Sequence, residues 1–116
     1  MEPLEQYFGN VHRSAVVITK QKPFLDWLLY HDPEMIIDEM ITEGEVYLLP
    51  DFETSEKMEK WMKKHFDRLF SDQLNGWYTD TAMWPQNRTF KMFSEWFSFS
   101  LCTMVWDTLE GLIEKE

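Results

Sequence analysis

Between Thr54 and Phe70 one face of the chain is apolar. Met58, Trp61, Met62, His65, Phe66 and Leu69 fall at i, i+3, i+4, i+7, i+8 and i+11, a spacing that stacks them along one side of an α-helix. The opposite side alternates in sign, with Glu56–Lys60 and Glu59–Lys63 at i, i+4 in the favourable acid-first order. Thr54 or Ser55 supplies the N-cap, and Glu56 sits in the first turn where the helix dipole favours an acid. Asn75-Gly76 breaks the pattern. A helix with a single apolar stripe needs a second layer to cover it, and the small set of layered architectures follows from that need.

Three short segments read as strands that supply the layer. Ser14-Ala15-Val16-Val17-Ile18-Thr19 is a continuous β-branched run, the pattern of a strand covered on both faces and central in its sheet. Val46-Tyr47-Leu48-Leu49 is a second, ended by Pro50. Ser98 to Trp106 alternates with period two, Phe99, Leu101, Thr103 and Val105 on one side. About 25 residues separate the first two strands, room for a crossover and hence a parallel pair.

Further helices are expected at Pro23–Tyr30, where Phe24, Trp27 and Leu28 share a face behind an N-terminal proline, and at about Arg88–Phe97, presenting Phe90, Phe93 and Phe97. Residues 34–41 admit two readings. Asp32-Pro33-Glu34 opens a helix that Ile36, Ile37, Met40 and Ile41 continue to a Gly44 cap, or Met35–Ile37 is a short strand. Trp77 to Asn87 is an irregular aromatic connector with one helical turn near Asp80–Met83. The expected fold is therefore α+β: a small three-stranded sheet, mixed or antiparallel, covered by three or four helices in the order β-α-(α)-β-α-α-β.

A chain of 116 residues makes one domain, 1–116, able to bury roughly two-thirds of its unfolded surface. Residues 1–12 and 107–116 are expected at its periphery, with the tail Glu110–Glu116 frayed. The longest uncharged stretch, Trp96 to Trp106, has 11 residues, against about 20 for a membrane span. The N-terminus lacks the basic flank and apolar run of a secretory leader. With one cysteine, Cys102, no internal disulfide is possible, which fits a reducing compartment. A cytoplasmic protein that makes no contact with membrane is the expectation.

The net charge of −10 is uneven, the first 58 residues carrying −8 of it. No Lys or Arg stands between Lys22 and Lys57, yet that window holds Asp26, Asp32, Glu34, Asp38, Glu39, Glu43, Glu45, Asp51, Glu53 and Glu56. Such a field repels phosphate backbones, which argues against direct nucleic-acid binding. It solubilises the protein, and it suits a basic protein partner. The acidic face expected to meet that partner comprises Asp32, Glu34, Asp38, Glu39, Glu43, Glu45, Asp51 and Glu53.

Catalytic and metal chemistry find no foothold. His12, His31 and His65 have no partner at metal-ligand spacing, and one cysteine cannot build a Cys-rich zinc site. Glu43/Glu45 and Asp51/Glu53 lack the remainder of a calcium loop. Cys102 lies mid-strand among apolar neighbours with no adjacent base, the setting of an inert thiol. Asn87-Arg88-Thr89 fits a glycosylation acceptor, but without a leader Asn87 or Thr89 reads as the cap of the last helix. No cofactor is implied. One loop differs: Trp77, Tyr78 and Trp84 stand beside Asp80, Asn87 and Arg88, and loop aromatics with a few polar groups are how small binding sites are built. Equally, Arg88 pairs with Asp80 or an acid of the central stretch and braces the connector.

Several of these segments also carry a resemblance. Ser14-Ala15-Val16-Val17-Ile18 leading into Lys22-Pro23-Phe24-Leu25-Asp26-Trp27, then Val46-Tyr47-Leu48-Leu49-Pro50, Trp77-Tyr78-Thr79-Asp80, Trp84-Pro85, Asn87-Arg88-Thr89 and Trp96-Phe97 together resemble a family of short bacterial proteins with no established activity. The resemblance covers Ser14 to Trp106, implies a compact bacterial domain, and transfers no site. This chain departs from it at Cys102, where the family pattern has His.

Three functions fit these readings. The first is a non-enzymatic binding or regulatory module that meets a protein through the acidic face or the Trp77–Arg88 connector. The second is a small-ligand binder or enzyme using Trp77–Arg88 with Lys22 or Asp26. The third is an acidic inhibitor that mimics nucleic acid.

Overall fold

The computed structural model describes residues 9–109, 111 and 113; most of Glu110–Glu116, expected to fray, and most of the 1–12 periphery therefore lie outside the described residues. The chain runs β1 (Gly9–Asn10), β2 (Ser14–Lys20), α1 (Lys22–His31), α2 (Glu39–Thr42), β3 (Glu45–Leu49), α3 (Ser55–Asn75), a 3-10 turn at Thr81–Met83, α4 (Phe90–Trp96), β4 (Phe97–Cys102) and β5 (Trp106–Asp107). The α+β class and the three-stranded sheet are as the sequence predicts.

β2 is central, in the order β3-β2-β4. Both of its neighbours run antiparallel to it, so the sheet is not mixed. The parallel pair allowed for by the long β2–β3 connection does not form, and the register shows why. Glu45 lies opposite Ile18, near the end of β2, so the excursion through α1, residues 32–38 and α2 leaves and returns at the same end of the sheet. A crossover delivers the next strand to the opposite end; here the helix leads out and a second leg leads back.

Successive strand residues face opposite ways. Ser14, Val16, Ile18 and Lys20 turn toward the helices, and the first three are essentially sealed from solvent. Val16 and Ile18 join Phe24, Trp27 and Leu28 of α1, Met58, Met62, Phe70 and Leu74 of α3, and Phe93 and Phe97 in one core. Ala15, Val17 and Thr19 face the other way. Beside them across the ladders stand Leu48, Val46, Ser98 and Ser100, and Val46 is 62% exposed. That second face is open at β3, while Ala15 on the central strand is buried.

Caps set the helix limits. Thr54 Oγ1 accepts from the Lys57 N–H at 3.2 Å and Thr89 Oγ1 from the Met92 N–H at 3.1 Å, each satisfying an orphan donor of its first turn. α3 continues past Phe70 to Asn75, and Gln73 and Leu74 in that extension are buried. Trp61 is only half-buried at the rim of the stripe; the sealed positions are Met58, Met62 and Phe70.

Two expectations change. Residues 34–41 are neither a full helix nor a strand: the chain turns at Pro33–Glu34, continues without regular structure, and forms only the four-residue α2, capped where Asp38 accepts from the Ile41 N–H at 3.2 Å. No residue of α2 is buried, so nothing rewards a longer helix. Gly44 does not cap a helix but lies against β2, where an added Cβ would meet Val17 Cγ1 at 3.2 Å. The period-two run Ser98–Trp106 is likewise two strands. β4 ends at Cys102, and after a bend β5 pairs antiparallel with β1, Gly9 opposite Asp107, so both peripheral segments include paired residues. Among the described residues no helix is long and apolar enough to cross a membrane.

Candidate functional site

The aromatic connector is held from within. Asp80 accepts from the Ala82 N–H at 3.0 Å and starts the 3-10 turn. Trp84 Nε1 donates to the Tyr78 carbonyl at 2.7 Å, and Trp27 Nε1 to the Met83 carbonyl at 2.9 Å. His31 Nε2 stands 3.1 Å from the same Met83 carbonyl, its ring against Trp27, Tyr30 and Tyr78. Arg88 pairs with Asp67 of α3, not with Asp80 or the acidic stretch: Nε to Oδ1 at 2.7 Å and Nη2 to Oδ2 at 3.2 Å. Its Nη1 donates to the Pro85 carbonyl at 2.9 Å, and the guanidinium lies over the rings of Phe70 and Trp84. Asp67 and Ser71 stand one turn apart on α3 beside Phe70, so the guanidinium that stacks on that ring meets the Asp67 carboxylate with both arms of its fork.

The six connector residues do not converge on one cavity. Trp84 and Arg88 are in contact, while Asp80 is a cap and exposed Asn87 takes a left-handed backbone at φ 55°. Trp77 faces elsewhere, lining a cleft of about 480 Å3 with Lys20, Met40, Glu43, Glu45, Asp72 and Gln73.

That cleft sits over a polar network that sequence reading missed. Lys20 closes the inner face of β2 and is buried, its Nζ 3.0 Å from Glu45 Oε2. Gln73 Nε2 donates to the same carboxylate at 2.9 Å and to the Tyr47 hydroxyl oxygen at 2.8 Å. The Tyr47 hydroxyl donates to Asp72 Oδ2 at 2.6 Å. The available signal was the alternation Ser14, Val16, Ile18, Lys20, which puts a lysine on the core face and demands an acid beside it.

The network moves two proton affinities. Burial alone would raise the Glu45 carboxyl, but the Gln73 and Lys20 hydrogen bonds and the Lys20 charge outweigh it and hold it below its ordinary 4.5. Tyr47 is pushed up, by burial first and then by the Asp72 carboxylate its hydroxyl serves. A depressed carboxyl stabilises the fold above its unfolded value, and that contribution disappears as pH falls through the folded one. The stability gap between parent and Glu45→Gln should therefore be widest at neutral pH and narrow below 4.5. Urea melts across this range measure it, and a gap unchanged down to about pH 3 would contradict the ion pair.

The acidic residues Asp32, Glu34, Asp38, Glu39, Glu43, Glu45, Asp51 and Glu53 are all exposed, from the end of α1 to the approach to α3. Glu45 also reaches inward to Lys20. A shallow cleft of about 440 Å3 is bounded by Glu39, Met40, Thr42 and Glu43. Between these carboxylates stand Ile36 and Met40, 80% and 82% exposed. His65 lies half-buried against Trp61, and Cys102 is a partly exposed free thiol. Among the described residues no three His, Cys, Asp or Glu gather as a metal site. The chain matches no model of a protein family, no curated protein and no solved structure.

Proposed function

We propose that the chain is a non-enzymatic protein-binding module whose segment from Asp32 to Glu45 receives a basic, amphipathic segment of a partner. The observation that carries this reading is the pairing of chemistries: Ile36 and Met40 project almost fully into solvent, interspersed along the chain with the exposed acids Asp32, Glu34, Asp38, Glu39 and Glu43, in a window without lysine or arginine. Met35, Ile37 and Ile41 of this segment pack against the core, whereas Ile36 and Met40 point away from it, contribute little to the fold and are available to a partner. Methionine adapts to varied apolar surfaces. A phosphate-mimicking array would gain nothing from Ile36 and Met40, so this pairing favours a protein-binding surface over nucleic-acid mimicry. The same charge disfavours duplex DNA as the direct partner.

Calorimetry with a synthetic 20-residue Lys/Leu amphipathic peptide tests this, with the Glu/Leu peptide as control. The Lys peptide should bind and weaken as salt rises, and Ile36→Ser with Met40→Ser should weaken it by about tenfold, as loss of apolar anchors does. Affinity unchanged by salt and by that double substitution removes this surface as the site.

A further inference from the structure

A second surface has the opposite chemistry. A cleft of about 690 Å3 is lined by residues 47–50, by Trp61, Arg68, Leu69 and Asp72 of α3, and by Arg13 just before β2. Because successive strand side chains point to opposite faces, a cleft touched by four consecutive residues borders the edge of β3 rather than one of its faces. Trp61, Arg68, Leu69 and Asp72 fall at i, i+7, i+8 and i+11, one stripe of a helix, about 16 Å long at ~1.5 Å per residue. The cleft is thus a groove between a strand edge and a helix. It accommodates about five extended residues at ~3.3 Å each.

That edge is unprotected. β3 pairs only with β2, and among the described residues no strand lies beyond it. Natural edges are commonly blunted by lysine, proline or a bulge, yet the one charge of β3, Glu45, turns inward to Lys20 and its proline, Pro50, follows the last strand residue; on its outer face Val46 and Leu48 are 62% and 49% exposed. The charge around the groove is also anomalous for a chain of net −10. Arg13 and Arg68 are exposed, and neither forms an ion pair among the described residues. Among the described residues Arg13 Nη1 donates only to the neighbouring His12 carbonyl, at 2.7 Å. The one acid of the lining, Asp72, is engaged by the Tyr47 hydroxyl.

We propose that this groove takes an extended acidic segment of a partner protein, added to β3 as a further strand, with its carboxylates on Arg13 and Arg68. Strand addition supplies main-chain hydrogen bonds, and the flanking side chains supply selection. A second copy of the chain is the poorer occupant, because two bodies of net −10 repel. A small anion would use the arginines and leave the edge idle.

The probe is a fluorescein-labelled, end-blocked Glu-Val-Glu-Val-Glu peptide read by anisotropy against the full chain, beside Lys-Val-Lys-Val-Lys and a backbone N-methylated acidic analogue. The acidic peptide should bind, and Arg68→Glu and Arg13→Glu should each weaken it by about tenfold, whereas any binding of the basic peptide, which the acidic stretch can hold, should not fall with either reversal. Both arginines are exposed, so the variants fold. N-methylation should weaken binding comparably, and amides of residues 46–49 should gain hydrogen-exchange protection. No binding at millimolar peptide, or binding indifferent to both reversals, overturns the proposal. So does equal affinity for the N-methylated peptide with displacement by succinate, which marks a small-anion site. A concentration-dependent dimer in sedimentation that excludes the peptide marks a self-pairing edge instead. The basic-peptide site proposed above stands or falls separately, since its test reads Ile36→Ser with Met40→Ser and not the arginine reversals.

Discussion

Phe70→Ala should destabilise the domain by about 3–5 kcal/mol, the cost of a buried aromatic and the cavity it leaves. The ring is sealed from solvent and lies 5.9 Å from Phe93, 5.5 Å from Trp96 and 5.4 Å from Phe97, centroid to centroid. It joins α3 to α4 and, through Phe97, to β4, so its loss loosens three elements at once. Against a typical total stability of 5–15 kcal/mol the variant should sit near unfolding at physiological temperature. Trp61→Ala is the internal control. Its ring touches Phe52 and His65 at the rim, and the loss there should be about 1–2 kcal/mol because much of the area is already wet. Equal urea midpoints for the two variants would contradict the assignment of Phe70 to the centre and Trp61 to the margin.

Arg88→Ala should cost about 2–3 kcal/mol, less than for a fully buried pair because the Asp67 side chain is 49% exposed and water recovers part of the lost charge. Arg88 itself is 18% exposed, and it holds Asp67, the Pro85 carbonyl and two aromatic faces at the same time. Arg88→Lys should recover little, since an ammonium can neither fork onto a carboxylate nor stack as a plane. Thermal melts of the two variants provide the test. An alanine variant that melts within a degree of the parent would show the guanidinium to be free of structural duty and would redirect attention to an anionic ligand.

What could be read from the sequence followed from periodicity. The stripe from Met58 to Leu69 and the β-branched run from Ser14 place α3 and β2 directly, since each pattern buries only as one element. Direction was hidden, because pairing depends on where a connection ends and not on its length; the return of the chain to Ile18 through an unpatterned stretch leaves no local signal. The break after Cys102 was masked by alternation, which persists through Thr103 to Trp106 although the strand changes partner. The acidic stretch was visible as composition, while its apolar projections Ile36 and Met40 fitted a helix that the structure does not make. The polar network of Lys20, Glu45, Gln73 and Tyr47 joins residues from three elements, and the groove beside Arg13 and Arg68 joins β3, α3 and the segment that leads into β2. Both are products of assembly.

The pairing of β2 with β4 has a kinetic consequence. Ala15 meets Cys102, so the central strand acquires its second neighbour only when almost the whole described chain is available. Closing so long a loop comes late, and topologies dominated by distant pairing fold slowly. On the ribosome, Val16 to Ile18 must wait with one edge uncovered while β3, α3 and α4 emerge in turn. Extended apolar strands in that condition are what holding chaperones shield. The abundance of this protein in a cell should accordingly follow the speed of synthesis and the supply of such chaperones as much as the depth of its native well.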